Sequence, residues 1–104
     1  MIQHESILPE AEKLVHGDRN ETYGHPLDDF SRTATMWGAI LGRTVTAEQV
    51  GLCMIAVKLS RECHAPKRDN MVDIAGYAET VAWCISERHR RDVLTQTVSP
   101  LESL

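Results

Sequence analysis

The sequence predicts a small all-α domain of four helices, and three observations carry that expectation. Apolar residues recur at helical spacing along four segments. Each segment opens or closes on a residue that caps or breaks a helix. A chain of 104 residues is long enough for one modest core. We expect a single domain over 1–93 and a loose, flexible tail over 94–104, where TQTVSPLESL shows no period.

The first helix is expected at Leu8–His16. Pro9 suits the first turn, Glu10 and Glu12 suit its positive end, and Gly17 is a natural stop. Leu8, Ala11, Leu14 and Val15 give it a short apolar face. Residues 17–26, GDRNETYGHP, are polar, bounded by turn residues and without a helical period. Arg19, Asn20, Glu21, Tyr23 and His25 can each bind a ligand there; otherwise the stretch is a solvated connector.

The second helix should run over Pro26–Leu41. Proline fits the first helical position, and His25 before it is pushed into the extended region of a cap. Asp28 and Asp29 fall in the first turn, where the helix dipole favours negative charge. Leu27, Phe30, Ala34, Trp37 and Leu41 trace the apolar face, which makes Trp37 a core residue before a stacking platform. Gly42 closes this helix.

The third helix opens on a capping box, Thr46-Ala-Glu-Gln49. Residues 50–59 are almost wholly apolar, which predicts the most buried helix of the domain. Lys58 and Arg61 interrupt that character. Either they carry their charges out to solvent, or they face the next helix across a tight turn. Pro66 makes the turn, and Asp69 or Asn70 can cap the fourth helix. That helix should reach about Asp92, with Met71, Ile74, Ala75, Ala78, Val81, Ala82 and Ile85 on its buried side. The basic run from Arg88 to Arg91 suits its negative end.

The chemistry concentrates in residues 67–77, KRDNMVDIAGY. Asp69, Asp73 and Tyr77 are spaced by four and stack on one helix face. Gly76 adjoins that stripe without a side chain, so a backbone or ligand can come close. Lys67 and Arg68 place positive charge at the entrance.

Composition narrows the function. The content is 42% hydrophobic and 25% charged, ordinary for a soluble protein. No apolar run approaches the roughly 20 residues that span a bilayer, and MIQHESILPE lacks the layout of a signal peptide. Cys53, Cys63 and Cys84 are an odd count without paired spacing, which suggests reduced thiols and a cytoplasmic location. A net charge of −4 argues against direct nucleic-acid binding. Seven of the eleven basic residues nonetheless fall between Lys58 and Arg91, enough for a basic pocket. There is no glycine-rich phosphate loop and no GxSxG elbow, and Cys63-His64 lacks zinc-ligand spacing.

Three segments, GDRNETYGHPLDDF, VGLCMIAVKLSRE and KRDNMVDIAGYAE, resemble a small phage-type family related to the MazG-like all-α nucleotide pyrophosphohydrolases. In MazG-like enzymes a Glu-x-x-Glu pair and a Glu-x-x-Asp pair on successive helices hold magnesium. Water then cleaves a nucleoside triphosphate to monophosphate and pyrophosphate, the metal neutralising the phosphates and activating the water. Here the second pair becomes Asn70-x-x-Asp73, and the first becomes Lys58-x-x-Arg61, reversed in sign. Lysine and arginine can meet phosphate directly.

The resemblance implies a four-helix MazG-like bundle, completed by homodimerisation. Asp73 and Asp69 would be catalytic metal ligands, joined by Asp29 or Asp28, with magnesium as cofactor. Lys58, Arg61 and Lys67 would meet the phosphates. Arg68, Asn70, Tyr77, Arg19, Tyr23 and His25 complete the substrate-binding set, with the 23–25 loop open to a neighbouring subunit. Three functions then compete. One is a nucleotide pyrophosphohydrolase; another is a non-catalytic nucleotide binder that sequesters nucleotides or serves their modification. The third is a helical interaction module in which Lys58 and Arg61 merely pair with Asp69 and Asp73.

Overall fold

The computed structural model of the chain describes residues 3–102. The described residues form five helices in order: α1 Leu8–His16, α2 Arg19–Tyr23, α3 Pro26–Leu41, α4 Ala47–His64 and α5 Arg68–Glu102. Among the described residues there is no strand, so the all-α expectation holds. No helix among the described residues is long and apolar enough to cross a membrane. Helix α5 is the spine. Helix α4 packs most extensively along it, α1 lies on its first half, and α3 touches both α4 and α5. Its 35 residues make the molecule elongated, with a radius of gyration of 17.1 Å against about 13 Å for a compact chain of 100 residues.

The helix starts follow from local chemistry. At α3, His25 is extended and its Nδ1 accepts the Leu27 N–H at 3.0 Å, while Pro26 occupies the first turn. Gly42 closes α3 at φ 68°, a left-handed value that glycine adopts freely, and its N–H donates to the Gly38 carbonyl. At α4 both halves of the capping box form: the Gln49 N–H donates to Thr46 Oγ1 at 3.1 Å, and the Thr46 N–H to Gln49 Oε1 at 2.9 Å.

The core gathers Leu27, Phe30 and Ala34 of α3, Ala47 and Val50 of α4, and Cys84 of α5. Trp37, Val45 and Tyr77 pack against it, Trp37 therefore serving the core as its spacing suggested. Gly51 lets α4 approach α5, because a Cβ there would stand 2.4 Å from Val81 Cγ2. Cys53 and Cys63 are exposed free thiols, and Cys84 is a buried one.

Four features differ from the sequence reading. The polar 17–26 stretch contains a one-turn helix, α2, too short to display a period. Helix α5 does not end near Asp92 but continues to Glu102; residues 103–104 of the expected tail lie outside the described residues. Helix α4 is not the most buried: only Ala47, Val50 and Gly51 are buried, while Leu52 is 55% and Leu59 50% exposed. An almost wholly apolar helix presents more apolar arc than its two neighbours can cover. On α5 the buried row is Val72, Gly76, Thr80 and Cys84, whereas Ile85 is half-exposed and Ala78 and Ala82 are exposed. Small residues at four-residue steps allow the closer helix contact, so they face inward.

Candidate functional site

A two-lobed cleft opens where α2, α3 and α5 meet. Its first lobe, about 160 Å³, is lined by Arg19, Asn20, Tyr23, Asp29, Phe30, Asp73, Gly76 and Tyr77, among others. The second, about 320 Å³, shares Arg19, Tyr23, Asp29, Phe30 and Tyr77 and extends to Trp37, Val50 and Met54. Ligand sites generally need at least about 300 Å³, a size that the second lobe reaches and the first does not.

Short polar links fix the walls. Asn20 Nδ2 donates to the Val15 carbonyl at 3.2 Å, tying α2 to the end of α1. Gly24, at φ 79°, ends α2 and returns its N–H to the Asn20 carbonyl. Arg32 Nη2 donates to the Tyr23 carbonyl at 3.1 Å, anchoring the far end of α2 on α3. The Arg19 guanidinium lies 5.8 Å from the centre of the Tyr23 ring and 3.8 Å from Asp29. Arg32 also stands 3.8 Å from Asp29. On the α5 side, Tyr77 packs beside Phe30, ring centres 6.4 Å apart. Across from them Lys58 Nζ sits 2.9 Å from Asp73 Oδ2, with side chains 16% and 32% exposed.

The structure thus brings together Arg19, Tyr23, Asp29, Asp73 and Tyr77, with Lys58 reaching the cleft wall through Asp73. Asp69 opens instead onto a neighbouring cleft, together with Asp73, Arg19, Lys13 and Asp18. The remaining sequence candidates lie elsewhere. Arg68 turns to α1, donating to Glu10 Oε1 at 2.7 Å and to the Ser6 carbonyl. Asn70 is buried and donates to Glu62 Oε1 at 3.0 Å, an oxygen that also accepts the Lys67 backbone N–H at 2.9 Å. Glu62 therefore holds the entrance of α5, and those two bonds lower its carboxyl pKa. Arg61 is exposed, and no carboxylate lies within 4 Å of it among the described residues.

His25 points away from the cleft. Its ring lies 4.6 Å from Trp83, whose other neighbour is His16 at 4.3 Å. Burial lowers its pKa, and its Nε2 is buried without a hydrogen bond, 4.0 Å from Glu87. Glu87 is held ionised down to about 2 by hydrogen bonds from Arg90 and Arg91. Arg91 also makes a two-pronged contact with Asp28, at 2.7 and 3.0 Å, which lowers the Asp28 pKa. Asp28 is thereby tied to α5. Glu62, Trp83 and Glu87 escaped the sequence reading, since nothing local distinguishes them from ordinary helix residues.

The magnesium implied by the MazG-like resemblance finds no ready set of ligands. Among the described residues no three His, Cys, Asp or Glu side chains gather where they could hold a metal ion. Asp73 faces the Lys58 ammonium, Asp29 faces two guanidiniums, and Asp69 belongs to the neighbouring cleft.

Comparison with known proteins places the chain. The family model described as "Domain of unknown function (DUF6378)" matches residues 6–84, a span that includes the whole cleft. The chain belongs to this family. The DUF6378 match takes in all three segments on which the resemblance rested. Two similar phage proteins are the Gene 55 protein of Mycobacterium phage D29 and that of Mycobacterium phage L5. The first is 40% identical over 78 residues, covering 74% of this chain and 52% of the relative. The second is 41% identical over 75 residues, covering 70% and 48%. The chain spans about half the length of these curated relatives. No solved structure matches it.

Proposed function

We propose that this chain is a nucleotide-binding protein, remotely related to the MazG-like pyrophosphohydrolases, whose ligand occupies the two-lobed cleft. One observation carries the reading: an arginine lines a cleft walled by aromatic rings, and a lysine from another helix pairs with the aspartate on its wall. Lys58 lies 2.9 Å from Asp73 on one wall, and Arg19 lies beside Tyr23 on another. Cations suit phosphate, and the Tyr23, Phe30 and Tyr77 rings offer apolar surface to a base and sugar. Arg19→Ala and Lys58→Ala should each weaken nucleotide binding about tenfold in a calorimetric titration. Unchanged affinity in both variants would remove the ligand from this cleft.

Pyrophosphohydrolysis is the second reading, and Asp73 on the cleft wall favours it. In that case Asp73→Ala abolishes release of pyrophosphate from a nucleoside triphosphate in magnesium buffer. Release that survives the substitution would exclude Asp73 from catalysis.

The proposal includes a second copy of the chain. Leu52, Ala56, Leu59 and Cys63 lie exposed along α4 at steps of four, three and four, the spacing of a helix-pairing seam. Two-fold pairing through one such face would cover it on both subunits.

A further inference from the structure

We infer that the cleft takes the phosphate of its nucleotide without a divalent cation, Lys58 exchanging the Asp73 carboxylate for a phosphate oxygen. This rests on the nucleotide-binding reading and concerns how that ligand is held. Arg19, Asp29 and Asp73 line the two lobes, and Lys58 and Arg32, just outside that lining, stand 2.9 and 3.8 Å from Asp73 and Asp29. A divalent cation is drawn to carboxylates whose charge is unmet, and here each carboxylate already has a cation within 4 Å. The absence of any cluster of three metal-ligating side chains among the described residues agrees with this. The neighbouring cleft, where Glu10, Asp18, Asp69 and Asp73 line the walls with Lys13 and Arg19, brings no three of these side chains together as a metal site among the described residues.

An ammonium carries three donors on a flexible stem, so it can leave one anion for another with little rearrangement. Asp73 is about one-third exposed, so water solvates it once Lys58 departs. A ligand phosphate would meet the same cation and sit beside Arg19. Lysine and arginine thereby do the work of charge neutralisation that metal does in carboxylate-lined sites.

The test is calorimetric titration of the four deoxynucleoside triphosphates into the whole chain, in excess EDTA and in magnesium. Binding in EDTA within about threefold of that in magnesium is expected. Lys58→Gln should weaken it at least tenfold in EDTA, and Lys58→Arg should restore part of the loss. Asp73→Asn should bind more tightly than the parent in EDTA, because it frees Lys58. Binding that needs magnesium, or that Asp73→Asn abolishes, overturns the inference and leaves the nucleotide-binding reading standing. No binding in either buffer overturns both. Circular dichroism of each variant confirms its fold, and Asp73→Asn reports on the exchange should Lys58→Gln fail to fold.

Discussion

Lys58 Nζ lies 2.9 Å from Asp73 Oδ2, joining α4 to α5 at the wall of the cleft. Two readings of that pair separate by experiment. As a purely structural bridge, its aspartate about one-third exposed, it is worth about 1 kcal/mol. Lys58→Ala and Asp73→Ala should then lower the urea midpoint slightly and equally. The account expects a second effect in Lys58→Ala alone, loss of nucleotide affinity. Equal behaviour of the two variants in a binding titration would leave the pair a bridge and nothing more.

Two glycines, Gly76 within α5 and Gly51 on α4 facing it, give opposite expectations. A Cβ at Gly76 would stand 3.7 Å from Val15 Cγ2, an ordinary contact, yet Gly76 lines the cleft. Gly76→Ala should stabilise the helix by about 0.5–1 kcal/mol while reducing ligand affinity. At Gly51 the added methyl would press on Val81 Cγ2 from 2.4 Å. Gly51→Ala should cost about 1–3 kcal/mol, read by urea denaturation. A destabilised Gly76→Ala, or a tolerated Gly51→Ala, would contradict this packing.

Much of the fold was legible because its signals are local. Pro26, Gly42 and the Thr46–Gln49 box act within one turn, and the structure places α3 and α4 where they direct. The α2 turn was not legible, since five residues show no period. Nor was the exposure of Leu52 and Leu59, which depends on how many neighbours α4 has. At the site, the four-residue step linking Asp73 to Tyr77 was readable, and Lys58 facing that stripe was one of two placements the sequence left open. The diversion of Arg68 to Glu10 and of Asn70 to Glu62 was not. Those partners come from other helices, and a helical stripe does not say which of its members another helix will claim.

His25 makes stability depend on pH. Its Nδ1 accepts the Leu27 N–H, which requires a neutral ring, and burial lowers its pKa below the ordinary 6.5. Glu87 and Asp28 act to raise it, while Arg91 and Arg90 act to lower it. A lowered folded-state pKa means the unfolded chain binds the extra proton first. The contribution is therefore complete above about pH 6.5 and falls away as pH drops toward the folded value. Urea midpoints between pH 7.5 and pH 5 should decline, and less steeply in His25→Asn, which keeps a capping side chain without the titration. Equal slopes would acquit His25.

The open face of α4 gives a test of assembly. Leu52→Glu and Leu59→Glu alter residues exposed in the single chain, so monomer stability should change by no more than about 0.5 kcal/mol. Light scattering on a sizing column should show a dimer for the parent and a monomer for the double variant. A monomeric parent would remove the second copy from the proposal.

The most direct measurement is the melting temperature of the chain against a panel of nucleotides, repeated with Arg19→Ala and Tyr23→Ala. A ligand that binds only the folded state raises it in proportion to its saturation. The account expects a rise of several degrees with at least one nucleotide in the parent, largely lost in both variants. No rise with any nucleotide, or a rise that both variants keep, would contradict a nucleotide site in the cleft between α2, α3 and α5.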